Sequence, residues 1–432
     1  MWVRRRMTEV TGRATQDTVS RWFTPIRKLQ PTAPLAKMTI EDVTRWLLGP
    51  ARALRHSSEL LHELSARLVA AGLPLARTTF HIGTLHPQFL GLFCRWQRST
   101  GHTEEASIAH GIRDTAAYKS SPIRVVLEQH EPVRRRLDQS VGADDFPILK
   151  ELREQGFTEY LATPLEFSEE HIAAATWTTD RPGGFTETEV AQINTLLPTL
   201  ALLLEVQSVR LMSANLLGVY LGRQTGRRVL KGDIIRGSGE TIRAVLLFAD
   251  LRGFTALSDR LEPDKVITIL NGYFERVVAP IHARGGEVLK FIGDGLLAIF
   301  PIEDAAFAFN AARRALEATL EAFAGLEAFS SDPMRAGEPA IRMGVTLHAG
   351  DVVYGNIGGQ DRLDFTTIGP AVNLVARLQH LSKQVDRALL LSDDFARICE
   401  RPMVSLGFHP VRGLSEPREV FTLRDAEALG LR

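Results

Sequence analysis

Three short segments in the C-terminal half hold the residue types from which chemistry can be built. The first, Ala244-Val-Leu-Leu-Phe-Ala-Asp250-Leu251-Arg-Gly253-Phe254-Thr255, reads as a buried strand that ends in a carboxylate and turns through glycine into a helix. A carboxylate at a strand end, beside the free N–H groups of a helix N-terminus, can hold a metal and a polyphosphate side by side. Gly253 would let the backbone approach those phosphates closely. The second segment, Lys290-Phe-Ile-Gly293-Asp294-Gly295, lies between two apolar strands, and Asp-Gly there is a strong hairpin signal. Asp294 alone is explained as a turn residue; with Asp250 it supplies the second of two carboxylates at adjacent strand ends, the minimum for two divalent ions spanning a triphosphate. The third segment, Asp364-Phe-Thr366-Thr-Ile-Gly-Pro-Ala-Val-Asn373-Leu-Val-Ala-Arg377, turns helical near Ala371 and puts Asn373 and Arg377 four apart on one face. An amide beside a guanidinium suits ribose positioning and phosphate charge stabilisation, although a solvated polar helix face has the same pattern.

The scaffold for these residues must come from more than one domain, because 432 residues exceed a single ordinary core. With 51 basic and 51 acidic residues the chain has no global electrostatic footprint for nucleic acid or an anionic membrane. Cys94 and Cys399, far apart and without neighbouring ligands, exclude a disulfide framework and a zinc site and suit a reducing cytoplasm. The most apolar stretch, 196–206, is interrupted by Pro198 and Glu205 and falls short of the roughly 20 residues that span a bilayer, so no membrane insertion is expected. Arg4, Arg5 and Arg6 are not followed by an apolar segment, which argues against a secretory leader.

Along the chain, residues 1–38 lack a sustained period and read as flexible. Leu47, Leu54, Leu61, Leu64 and Leu68 step as one buried helix face, with a break at Pro50. Runs 89–96, 160–165 and 172–177 read as strands. The eight histidines from His56 to His171 include no helical i, i+4 pair and read as packing or surface residues. Thr186 and Glu189 form a capping-box pattern ahead of a helix in which Ile193, Leu197, Leu200, Leu204, Gln207 and Leu211 make a heptad seam. That seam fits a parallel dimer helix or a core helix, and Pro198 is expected to kink it. Six glycines between 215 and 240 read as a hinge-rich connector, and from Arg243 strands and amphipathic helices alternate.

Tyr160-Leu-Ala-Thr-Pro-Leu, the Ala-rich strand Ile172–Trp177 and Arg181-Pro-Gly-Gly-Phe185 before a long helix resemble the end of a GAF-type sensor domain. The resemblance implies an α/β sensor over 39–205 with a small-molecule ligand, followed by a signalling helix and connector over 186–240. The three chemical segments, in this order and spacing, resemble the class III adenylate and guanylate cyclases over about 241–425. That resemblance implies an α+β domain with a ferredoxin-like βαββαβ core that converts ATP to 3′,5′-cyclic AMP and pyrophosphate with two Mg²⁺ or Mn²⁺ ions. By the same resemblance Asp250 and Asp294 bind the metals with the Leu251 carbonyl, and Gly253, Phe254 and Thr255 meet the phosphates. Lys290 and Thr366 read the purine, Asn373 orients the ribose and Arg377 stabilises the transition state, while Arg342 and Arg412 match phosphate-contacting positions. One chain holds both halves of a site that the family builds between two domains, which implies a homodimer.

The family often has Asp where Thr366 stands, and Thr marks a bacterial-type subgroup with bicarbonate-responsive members. Adenine offers an acceptor at N1 and a donor at its amino group, matched by the Lys290 ammonium and the Thr366 hydroxyl. Guanine presents a donor at N1 that Lys cannot accept; mispairing costs about 1–3 kcal/mol, so ATP is favoured over GTP. A guanylate cyclase and a catalytically inactive cyclase-fold module remain as alternatives. A palm-type diguanylate cyclase is disfavoured, because no Gly-Gly-Asp/Glu-Glu-Phe hairpin is present.

Overall fold

The computed structural model describes residues 23–431 apart from positions 32, 34, 140–144, 169–171 and 336–337, so His171 lies outside the described residues. The chain divides into two compact units, 1–216 and 217–432.

The N-terminal unit is built on a seven-stranded sheet ordered β1-β4-β3-β2-β7-β6-β5. Its strands are β1 (Phe23–Leu29), β2 (Arg77–Gly83), β3 (Gly91–Gln97), β4 (His102–Ile108), β5 (Val133–Arg136), β6 (Glu159–Glu166) and β7 (Ile172–Thr179). Strand β1 corrects the expectation that 1–38 is flexible throughout: it pairs antiparallel with β4. Its sequence hides this, since Pro25 interrupts the alternation, and an edge strand tolerates a proline that a central one does not. The leucine periodicity divides at Pro50 into α1 (Ile40–Leu48) and α2 (Ser57–Ala70). Leu60, Leu61 and Leu64 of α2 pack with Phe80, Cys94 and Trp177 on one face of the sheet. Helices α3 (Pro122–Gln129) and α4 (Pro147–Glu154) belong to a second cluster with Val133, Tyr160 and Ala174.

The unit closes on α5 (Glu187–Tyr220), a helix of 34 residues that runs unbroken through Pro198. Its capping box forms as the sequence implies: the Glu189 N–H donates to Thr186 Oγ1 at 3.2 Å and the Thr186 N–H donates to Glu189 Oε2 at 2.7 Å. Its length and apolarity are sufficient to cross a membrane, which the shorter run 196–206 understated. However, Ile193, Leu200 and Leu204 are buried in the core with α2. Gln207 Nε2 donates to the Leu54 carbonyl at 3.0 Å and Ser57 Oγ donates to Gln207 Oε1. The first half of the heptad seam is therefore interior, which corrects its reading as a dimer face. A different row, Leu202, Val206, Val209, Leu216 and Tyr220, is exposed and steps by four, three, seven and four.

In the C-terminal unit, α6 (Arg223–Leu230) occupies the stretch expected to be a loose connector, with Thr225 and Gly226 buried. The sheet follows as β8 (Gly239–Leu251), β9 (Glu287–Ile292), β10 (Gly295–Pro301), β11 (Met343–Gly358), β12 (Leu363–Ile368), β13 (Leu389–Ser392), β14 (Met403–His409) and β15 (Arg418–Leu423). Its order is β14-β15-β13-β11-β8-β10-β9, with β12 paired to β11. The helices are α7 (Phe254–Ser258), α8 (Pro263–Ala283), α9 (Ala308–Ser330) and α10 (Pro370–Gln384). Strands β8, β9, β10 and β11, with α8 and α9 between them, form the βαββαβ unit, and the order β11-β8-β10-β9 is antiparallel throughout. Alternation along β8 sends Val245, Leu247 and Ala249 to the face covered by α8 and α9. Ala244 and Leu246 go to the opposite face, packed with Phe365 of β12 and Val375 of α10.

Candidate active site

Register brings the strand ends of the C-terminal sheet together. Asp250 pairs across to Gly295 on β10 and to Gly344 on β11, and Leu251 pairs with Met343. Asp294 and Arg342 immediately precede the paired residues of β10 and β11, so Asp250, Leu251, Asp294 and Arg342 gather at one edge. Asp250 is flanked by glycine on both sides, and a side chain at Gly344 would collide with the Arg252 guanidinium. The β9–β10 hairpin turns at Gly293-Asp294, with Gly293 in the left-handed region at φ 61° that a two-residue hairpin turn favours.

The two carboxylates are neighbours. The Asp294 carboxyl is pushed above the ordinary carboxylate range, first by burial and then by the Asp250 carboxylate beside it, with which it can share a proton. Two residues with no signal in the sequence complete this corner. Lys383, at the last turn of α10, forms an ion pair with Asp250. Tyr273 of α8 is fully buried, and its hydroxyl has no hydrogen-bond partner. Burial first, then the charges of Asp250 and Asp294, raise its pKa. Lys383 lies ten residues beyond Asn373, off the helix face shared by Asn373 and Arg377, so periodicity could not connect it to the site.

Gly253 caps α7 with φ 72°, and open space surrounds the position of its missing side chain. Phe254 and Thr255 begin that short helix, where the first N–H groups have no intrahelical partner.

The base-reading candidates lie at a second locus. A register shift in the β9–β10 pairing places Lys290 opposite Leu297, on the face of the sheet that holds Phe365. Its ammonium stands 3.8 Å from Asp364 on β12. Asp364 and Thr366 are two apart on one strand and project to the same side. Thr366 is only 4% exposed, and its hydroxyl has no partner. Asp364 is the exposed carboxylate at this locus, and the sequence reading missed it.

Asn373 is exposed near the start of α10. The Arg377 guanidinium lies against Gly413, whose φ of 76° turns the loop that carries exposed Arg412. Asn373 and Arg377 stand ten and six residues from Lys383, which is about 15 and 9 Å along the helix axis. Within one chain, then, Asp250 and Asp294 form one group and Arg377 and Arg412 another.

Among the described residues no group of three or more His, Cys, Asp or Glu side chains gathers into a cage. A pair of carboxylates that repel each other and attract an ammonium fits a divalent cation held by one or two carboxylates and completed by substrate phosphates.

Residues 239–406 match the adenylate and guanylate cyclase catalytic domain family. The chain is 33% identical over 161 residues to an adenylate cyclase of Anabaena cylindrica, covering 37% of this chain and 32% of that protein. It is 30% identical over 180 residues to adenylate cyclase 1 of Rhizobium meliloti (strain 1021), covering 40% and 26%. The matched stretch thus spans about a quarter to a third of the length of these relatives. Among solved structures, the adenylyl cyclase CyaB of P. aeruginosa aligns with 44% of this chain and 96% of its own at 26% identity and a TM-score of 0.39. The C-terminal unit carries a class III adenylate/guanylate cyclase catalytic domain.

Proposed function

We propose that the chain is an adenylate cyclase, converting ATP to 3′,5′-cyclic AMP and pyrophosphate. The observation that carries this reading is the adjacency of Asp250 and Asp294 at the sheet edge, within the segment that matches the cyclase family. These two carboxylates, with the Leu251 carbonyl, would hold two Mg²⁺ or Mn²⁺ ions, and Lys383 would yield its place at Asp250. Bound ions would supply Lewis-acid charge to the triphosphate and acidify the ribose 3′-hydroxyl. The Gly253-Phe254-Thr255 turn, Arg342 and Arg412 bind phosphate oxygens. Asn373 holds the ribose so that its 3′-hydroxyl lies in line with the α-phosphorus, and Arg377 stabilises the charge that grows there as pyrophosphate leaves. Lys290 donates to adenine N1; Thr366 or the exposed Asp364 accepts from the amino group.

The separation of Arg377 from the aspartate corner along α10 supports a site shared between two copies, each supplying one group. The exposed row from Leu202 to Tyr220 has the spacing of a parallel helix pair and supports the same arrangement. The seven-stranded sheet with its flanking helices supports a GAF-like sensor domain, and on this reading that domain regulates the cyclase domain in a cytoplasmic protein.

Mixing tests the shared site. An Asp250→Ala chain and an Arg377→Ala chain, each inactive alone, should regain cyclic AMP production with Mg²⁺ or Mn²⁺ when combined, through one working site per mixed dimer. ATP should be turned over faster than GTP. No recovery on mixing would exclude the shared site, and faster GTP turnover would favour the guanylate cyclase alternative.

A further inference from the structure

The N-terminal sheet has two unlike faces. One packs Phe80, Cys94 and Trp177 against α2. The other opens onto a cavity of about 970 Å³ that is lined in part by Arg77, Thr79 and His81 of β2, Arg95 of β3 and Thr176 of β7. Helices α3 and α4 contribute Ile123, Leu127, Ile148 and Leu152, so most of the remaining wall is apolar. The volume suits a small organic ligand.

Polar residues so far inside a domain are normally paired, and most here are. Arg95 bonds to Glu104 at 2.5 Å, and Thr79 bonds to Thr176 at 2.6 Å and to His81 at 3.1 Å. Arg77 breaks the rule. It is 9% exposed, and among the described residues its Nε has no hydrogen-bond partner and no carboxylate lies within ion-pair distance. Burial, helped by the Arg95 charge, draws its pKa from 12.5 down to about 10. Glu151 of α4 is near enough to act on it electrostatically but keeps one buried oxygen unpartnered. His81 is held neutral, its pKa lowered to about 3 by burial and by Arg77, and the buried Tyr160 hydroxyl also senses the Arg77 charge. A guanidinium buried without a counterion is costly, and the fold keeps it at the wall of an apolar cavity.

We propose that this cavity binds a small organic monoanion: an apolar body carrying one carboxylate, which Arg77 receives in a two-pronged contact. The charge count favours a monoanion. Among the described lining residues Arg77 is the buried guanidinium without an ion pair, while Lys28 and Arg113 at the wall are exposed to solvent. One buried guanidinium matches one carboxylate, whereas a phosphate dianion would keep an uncompensated charge close to Glu151. A cationic ligand would meet Arg77 directly. Tyr160 and His81 supply neutral hydrogen-bonding groups beside the carboxylate, and the α3 and α4 side chains enclose the apolar body. The inference concerns the N-terminal unit and stands apart from the cyclase reading, since its test measures binding and not turnover.

The test uses the full chain with butyrate, octanoate, decanoate and phenylacetate, and with decanamide and decylamine as bodies of the same size without the anion. Calorimetry and thermal unfolding give the readout. At least one carboxylate should bind and raise the melting temperature, with the amide and the amine roughly tenfold weaker or worse. Arg77→Met should weaken carboxylate binding roughly tenfold or more while raising the melting temperature of the free protein, because an unpaired buried charge is removed. Arg77→Lys, which keeps the charge but not the fork, should fall between the two. The proposal is overturned if no carboxylate binds, if decanamide binds as tightly as decanoate, or if Arg77→Met binds carboxylates as well as the parent chain.

Discussion

Two sets of acidic groups in the C-terminal unit show how differently one fold can treat a carboxylate. Glu287, at the start of β9, is 3% exposed and fully served: it accepts from the Thr225 N–H at 2.9 Å, from Thr225 Oγ1 at 3.0 Å and from Tyr354 Oη at 2.8 Å. Asp250 and Asp294 lie on the neighbouring strands β8 and β10 or at their turn. They have each other, one lysine and an unpartnered tyrosine hydroxyl. A satisfied buried charge locks structure, here pinning α6 to the sheet. Carboxylates set against one another at an edge create an electrostatic demand that a proton or Lys383 meets in part and that a divalent cation would meet more fully. A buried acid whose donors are counted and complete is architecture, and one whose donors fall short is a binding site.

The largest effect should come from disturbing the deficient pair. Asp250→Asn keeps the shape and removes the charge, and it should lower cyclic AMP production about 100- to 1,000-fold with melting little changed. A turnover within a few-fold of the parent would erase the functional half of the contrast. Tyr354→Phe should do the reverse. It leaves Glu287 with a donor missing and should cost the domain about 1–3 kcal/mol in denaturant unfolding, while turnover per folded molecule is retained. An unfolding midpoint equal to the parent's would mean that the Glu287 network is not holding α6.

Much of this contrast was written in residue order, and the remainder was not. The alternation of strands and helices from Arg243, the Asp294 hairpin, the α10 helix and the Thr186–Glu189 cap each depend on neighbours within a few positions, where turn chemistry and periodicity operate, whereas the βαββαβ order was implied by the resemblance to the cyclases. Lys383, Tyr273 and Asp364 reach the site through tertiary packing from positions that share no period with it. The α5 seam shows the limit most clearly. Two rows of α5 carry heptad spacing, and only the packing of α2 against the sheet decides that Gln207 turns inward while Val206 and Val209 stay exposed. Strand β1 was missed because its proline masks the alternation, and α6 because six glycines between 215 and 240 outweighed the short helix 223–230 among them.

The smallest predicted effect probes the frustration itself. The Asp294 carboxyl is raised above its ordinary value of 3.8 by burial and by Asp250, with Lys383 opposing. A carboxyl whose pKa is higher in the folded than in the unfolded state binds its proton better when folded. Its contribution therefore favours folding least at high pH: stability is lost as pH climbs from the unfolded value through the raised one, and the loss is complete above that window. Asp294→Asn removes the titration. In chelator at neutral pH the variant should melt about 1–2 °C above the parent, a modest shift because the group is partly exposed to solvent. The two melting curves should converge toward the acid end of the window, where the parent carboxyl is protonated. Added Mg²⁺ should stabilise the parent and not the variant, closing the gap from the other side. If the variant melts with the parent at every pH and gains equally from Mg²⁺, the two aspartates are not opposed, and their corner would resemble the Glu287 pocket after all.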